Sequence, residues 1–181
     1  MDVTFKRTGV RRYSTVVADA VYGVRELDPA PGYHDFVPHD LAHYVVECEL
    51  GLDDAVFGRA ARGGGMFRAV GEGKKDPREA RREGRRQRKR EERMREAGHA
   101  KGDQMSVSER LAGLSLVAWV RRHDPSARPP EWAPQGAEVD EDVREALERI
   151  GARLDELAPR WRGLRVGEEL RFRWPSAEPI S

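Results

Sequence analysis

Val3-Thr4-Phe5-Lys6-Arg7 and Arg12-Tyr13-Ser14-Thr15-Val16-Val17-Ala18 are two runs of β-branched and aromatic residues, with Thr8-Gly9 after the first. Side chains of these types fit a pleated, half-buried surface, and glycine supplies the turn, so the two runs predict a β-hairpin. Val21 to Leu27 reads as a third strand, after which Asp28-Pro29-Ala30-Pro31-Gly32 interrupts the chain. At the far end, Glu169-Leu170-Arg171-Phe172-Arg173-Trp174 alternates as a half-buried strand does, and Pro175 ends it. A last strand of this kind is expected to return and pair with the N-terminal hairpin.

Helices fill the interval. Proline suits the first helical position, so Pro38 starts a helix running to about Leu50, with Gly51 as its stop. A shorter one is expected from Asp53 to Arg62, ended by Gly63-Gly64-Gly65. That triplet lacks the Lys-Ser/Thr of a phosphate loop and reads as a helix stop. Ser106-x-x-Glu109 reads as a capping box before Leu111, Leu114, Leu116, Val117, Trp119 and Val120, the most apolar helix and the expected centre of the fold. Val143, Leu147, Ile150, Leu154 and Leu157 recur at three and four, which predicts an amphipathic helix from Asp140 to Leu157. The expected fold is α+β: a small antiparallel sheet, the hairpin plus the C-terminal strand, covered by about four helices. Residues 1–71 and 105–175 form its single domain, 72–104 an insert, and 176–181 a flexible tail.

The insert stands apart in composition. Only 38% of the chain is apolar and 36% is charged, yet the net charge is +1. Segment 74–101 carries thirteen Lys or Arg against six Asp or Glu, a net +7, which leaves −6 for the remainder. With almost nothing apolar to bury, and with Arg78/Arg82 and Arg82/Arg86 as like charges four apart, the segment is expected to be disordered or a fraying helix. It is the candidate surface for nucleic acid or an acidic partner, through release of counterions from phosphates. Against this, it has no aromatic residue for stacking, and its glutamates dilute the charge. Cys48 is the only cysteine, which excludes an internal disulfide and a multi-cysteine zinc site. No apolar run approaches the length that spans a bilayer, and Met1 to Lys6 has no apolar leader core, so no membrane partner and cytoplasmic residence are expected.

Chemistry concentrates in His39-Asp40-Leu41-Ala42-His43-Tyr44-Val45-Val46-Glu47. At about 100° per residue, His39, His43 and Glu47 fall within a sector of about 80°, with Asp40 at its edge. From Pro38 to Gly58 there is no Lys or Arg, unlike an ordinary solvated face. Two imidazoles four apart and a carboxylate one turn on can converge on one divalent metal, zinc-like in its ligand preference. His39, His43 and Glu47 are therefore the candidate metal ligands, and Asp40 the candidate general base of a small metal-dependent hydrolase. Further ligands could come from His34, Asp35, Asp53, Asp54, His123 or Asp124, of which His34-Asp35 immediately precedes the helix. The competing reading is the wet edge of a mostly buried helix, with His43 hydrogen-bonded to Glu47. A non-enzymatic nucleic-acid or protein-interaction module acting through the basic insert is the alternative function.

Two resemblances attach to these residues. The run Pro38 to Glu47, together with Trp161-x-x-Leu164-x-Val166-Gly167-Glu168-x-Leu170-x-x-x-Trp174-Pro175, resembles a group of small uncharacterised proteins of high-GC bacteria. His39-Asp40-x-x-His43 is similar to the His-Asp-x-x-His motif of the Coq4 family of ubiquinone biosynthesis, and that likeness implies zinc bound with a Glu further downstream. The corresponding downstream position here is Ala55, with Asp53 and Asp54 beside it.

Overall fold

Strand β1 (Asp2–Gly9) turns at Val10-Arg11 into β2 (Arg12–Asp19), and the two pair antiparallel with Val3 opposite Val17 and Phe5 opposite Thr15. β3 (Gly23–Leu27) pairs antiparallel with β2 and β4 (Arg68–Ala69) with β3, while β5 (Glu169–Arg173) pairs with the other edge of β1. β6 (Pro179–Ile180) adds a final edge, which gives the order β4-β3-β2-β1-β5-β6. This computed structural model describes residues 1–70 apart from Tyr33 and Asp35, then 103–126, Arg128 and 140–180. Between 71 and 102 it describes only Arg85, Arg88, Lys89, Glu92, Arg93 and Glu96, all helical and exposed, so the expected disorder and partner of the insert lie largely outside the described residues.

The α+β architecture and the return of the last strand to the hairpin are as the sequence predicts. Two edges differ. β4 is too short to leave a periodic signal, and the expected flexible tail after Pro175 includes Pro179 and Ile180, which pair with Phe172 and Arg171.

Pairing register puts Val3, Phe5, Tyr13, Thr15, Val17, Leu170 and Phe172 on one face of the sheet, all of them buried. The helices lie on this face: α1 (His39–Leu50), α2 (Val56–Ala61), α3 (Gln104–His123) and α4 (Glu141–Gly163). Tyr44 of α1 meets Phe5 and Phe172 at 5.7 and 5.0 Å between ring centroids. Phe57 of α2 packs edge-on against Tyr44 at 5.0 Å, and Trp161 of α4 against Tyr13 at 5.9 Å. Aromatic pairs at these separations add to the stability of simple burial.

α1, not α3, is the central helix. Asp40 to Glu47 are buried without a break, because α1 has the sheet beneath it and touches both α3 and α4. α3, although more apolar in its second half, keeps Glu109, Arg110 and Arg121 in solvent. Among the described residues, no helix is long and apolar enough to cross a membrane.

Candidate metal centre

Pro38 leads into α1, and Gly51 closes it in the left-handed conformation, its N–H donating to the Cys48 carbonyl. His39 and His43 therefore stand one turn apart near the start of the helix. Their rings meet edge to face with centroids 4.5 Å apart, and Nε2 of one lies 3.3 Å from Nε2 of the other. From α3, Glu109 brings its Oε2 to 3.4 Å from His43 Nε2. Among the described residues these three form one group whose ligand atoms all lie within 4.8 Å of one another. Hydrogen bonding with His43 holds the Glu109 carboxyl below its ordinary range, against the opposing effect of burial.

Glu47 has a different position from the one its spacing suggests. Its Oε1 accepts from the Val56 N–H at 2.9 Å and from Ser108 Oγ at 3.1 Å. Its Oε2 accepts from the Phe57 and Gly58 N–H groups at 2.8 and 3.3 Å. A carboxylate offers about four acceptor positions, so all of them are occupied. The physical reason is α2, whose first turn would otherwise bury orphan N–H groups. Burial nevertheless outweighs these donors and pushes the Glu47 carboxyl up to about 7. The carboxylate brought to the two imidazoles is that of Glu109 instead.

Each imidazole is backed by a further partner. His43 Nδ1 lies 2.7 Å from Ser108 Oγ, the hydroxyl that reaches Glu47. His39 Nδ1 faces Asp40 Oδ1 at 3.6 Å, while Asp40 Oδ2 accepts from Thr15 Oγ1 at 2.8 Å. Asp40 thus lies beside the ring nitrogen of His39 that is remote from the cluster.

Four of the remaining candidates are employed elsewhere. Asp54 pairs with Arg59 and Arg62 at α2. His34 packs on Phe36, and its Nδ1 accepts from the Phe36 N–H. His123 stacks on Trp119 and pairs with Asp155, and Asp124 accepts from Ser126. Asp53 lies before α2, outside the three-residue group, and Asp35 is not among the described residues. Burial pushes the Cys48 thiol up to about 12, which keeps it protonated and chemically quiet.

No family model, no curated protein and no solved structure matches this chain. Geometry alone carries the reading of the site.

Glu109 was hidden by its own motif. In a capping box, it would have reached back to the Ser106 N–H. Asp103 is the cap instead, accepting from the Ser106 N–H at 3.2 Å and from its hydroxyl, so the helix begins three residues earlier than that motif implies. Ser108 and Glu109 thereby move into the helix body, where one is buried against α1 and the other reaches its imidazole. The signal available was Asp103 itself, a strong N-cap type three residues before Ser106.

Proposed function

We propose that this protein binds one divalent metal ion, zinc or a metal of similar preference, through His39 Nε2, His43 Nε2 and a Glu109 carboxylate oxygen. The observation that carries this reading is a pair of distances. Ligands about 2.0–2.1 Å from a tetrahedral ion are about 3.3–3.4 Å from one another. The separations here are 3.3 Å between the two imidazole nitrogens and 3.4 Å from His43 to Glu109. These two separations suit a shared ion as well as they suit direct bonding, and the third lies within 4.8 Å. The Ser108 hydroxyl behind His43, 2.7 Å from its Nδ1, also belongs to such a centre.

Three protein ligands leave a fourth position to water, the pattern of catalytic rather than structural zinc. Metal-assisted hydrolysis is the reaction class this arrangement supports. Asp40 then stands on the far side of the His39 imidazole from the ion, its Oδ1 3.6 Å from Nδ1.

The test is metal analysis of the purified chain, followed by chelation and titration with zinc and cobalt. One equivalent is expected for the wild type, with the visible absorption of four-coordinate cobalt, and none for His43→Ala or Glu109→Ala. A folded wild type that takes up neither ion would overturn the assignment.

A further inference from the structure

The hydroxyl of Ser108 has one hydrogen and two possible takers, His43 Nδ1 at 2.7 Å and Glu47 Oε1 at 3.1 Å. An ionised carboxylate can only accept, so the hydroxyl hydrogen goes to Glu47 and the oxygen is left to accept from Nδ1–H. With its proton on Nδ1, a neutral His43 carries the lone pair on Nε2, the atom that faces His39 and Glu109. Glu47 cannot swing away, because three backbone N–H groups of the α2 segment fix it. Ser108 and Glu47 are fully buried, so no bulk water competes for these positions.

We propose that Glu47, acting through Ser108, is a positioning residue that sets the tautomer of His43 and presents Nε2 to the metal. This rests on the metal-binding reading for its purpose; in the metal-free chain the Glu109 carboxylate, 3.4 Å from Nε2, competes for the same proton, and the fixed Ser108–Glu47 pair on the Nδ1 side is expected to hold it. The site then draws on α1, α2 and α3 together: α1 supplies both imidazoles, α3 supplies Glu109 and the bridging hydroxyl, and α2 locks the carboxylate behind them. The residue whose spacing suggests a ligand acts one hydroxyl away from the imidazole.

Histidine-selective nitrogen NMR on the metal-free full chain tests the tautomer, at a pH well above the ionisation of Glu47 at about 7. His43 is expected to carry its hydrogen on Nδ1; a hydrogen on Nε2 alone overturns the proposal. Zinc titration of Ser108→Ala gives the second readout. Affinity is expected to fall roughly 10–100-fold with the stoichiometry unchanged, the usual cost of losing an outer-shell partner. Unchanged affinity in a folded variant overturns the proposal equally. Should Ser108→Ala fail to fold, the wild-type tautomer still decides. A wild type that binds no zinc removes the metal reading and leaves the tautomer measurement intact, so the two failures are distinguishable.

Discussion

Glu109 Oε2 stands 3.4 Å from His43 Nε2, and the two side chains differ sharply in exposure: 58% for the carboxylate and 2% for the imidazole. The pair therefore joins a rigid donor to one that solvent can reach. Glu109→Gln should leave the metal-free fold within about 0.5 kcal/mol of wild type, as surface substitutions usually do. Zinc affinity should fall by more than roughly a hundredfold, beyond the loss of an outer-shell partner, because the anionic ligand itself is gone. Chemical denaturation and calorimetric titration of the same preparation check both outcomes.

Glu47 gives the metal-free protein a pH dependence of defined sign. Its carboxyl is raised from an ordinary 4.5 to about 7 by burial. A raised folded value means stability that is fully present below about pH 4.5 and is lost as pH climbs through about 7. The span is on the order of 3 kcal/mol, at about 1.4 kcal/mol per unit. Unfolding midpoints in denaturant, taken from pH 4.5 to 8 with chelator present, should decline for the wild type. Glu47→Gln should flatten that decline; an equally steep curve in the variant would place the titrating group elsewhere.

Gly32 is tied to the centre by geometry alone. Its φ is +66°, and a Cβ there would lie 2.5 Å from His39 Cβ, while its carbonyl accepts from the His39 N–H at 3.1 Å. Gly32→Ala combines backbone strain of about 1–3 kcal/mol with displacement of a proposed ligand. Both melting temperature and zinc affinity should drop, whereas Gly23→Ala, strained at φ +70° but in open space, should lower only the first.

Gly58 allows α2 to approach the loop before it. An added Cβ would run into the Asp53 backbone carbonyl, and the Gly58 N–H donates to Glu47 at 3.3 Å. Gly58→Ala should destabilise the chain by about 1–3 kcal/mol through overpacking. Loosening of Glu47 should also appear as a shifted His43 nitrogen resonance.

Much of the architecture was written in local pattern. Alternation in Val3 to Arg7 and in Glu169 to Trp174 identified strands that pair, since period-2 burial leaves a direct trace in sequence. The two imidazoles were equally legible, because i and i+4 on a helix need no tertiary information. Glu109 was not, for its approach depends on how α3 docks against α1, and a nearer cap competed for the helix start. Nor could spacing tell that Glu47 would be consumed by Val56, Phe57 and Gly58, whose demand arises only once α2 folds back on α1. The carboxylate that spacing put beside the imidazoles and the carboxylate found there thus differ for one reason, the docking of the helices.

The position of β1 in the sheet has a consequence for synthesis. One edge of β1 is satisfied at once by β2, but the other waits for β5, about 170 residues later, as the pairing of Val3 with Phe172 requires. At roughly 5–20 residues per second, the ribosome leaves that edge unpaired for roughly 10–30 s. An open strand edge beside Val3 and Phe5 is a template for other chains during that time. Yield in the cell should therefore depend on translation speed and chaperone supply more than on the final stability of the fold.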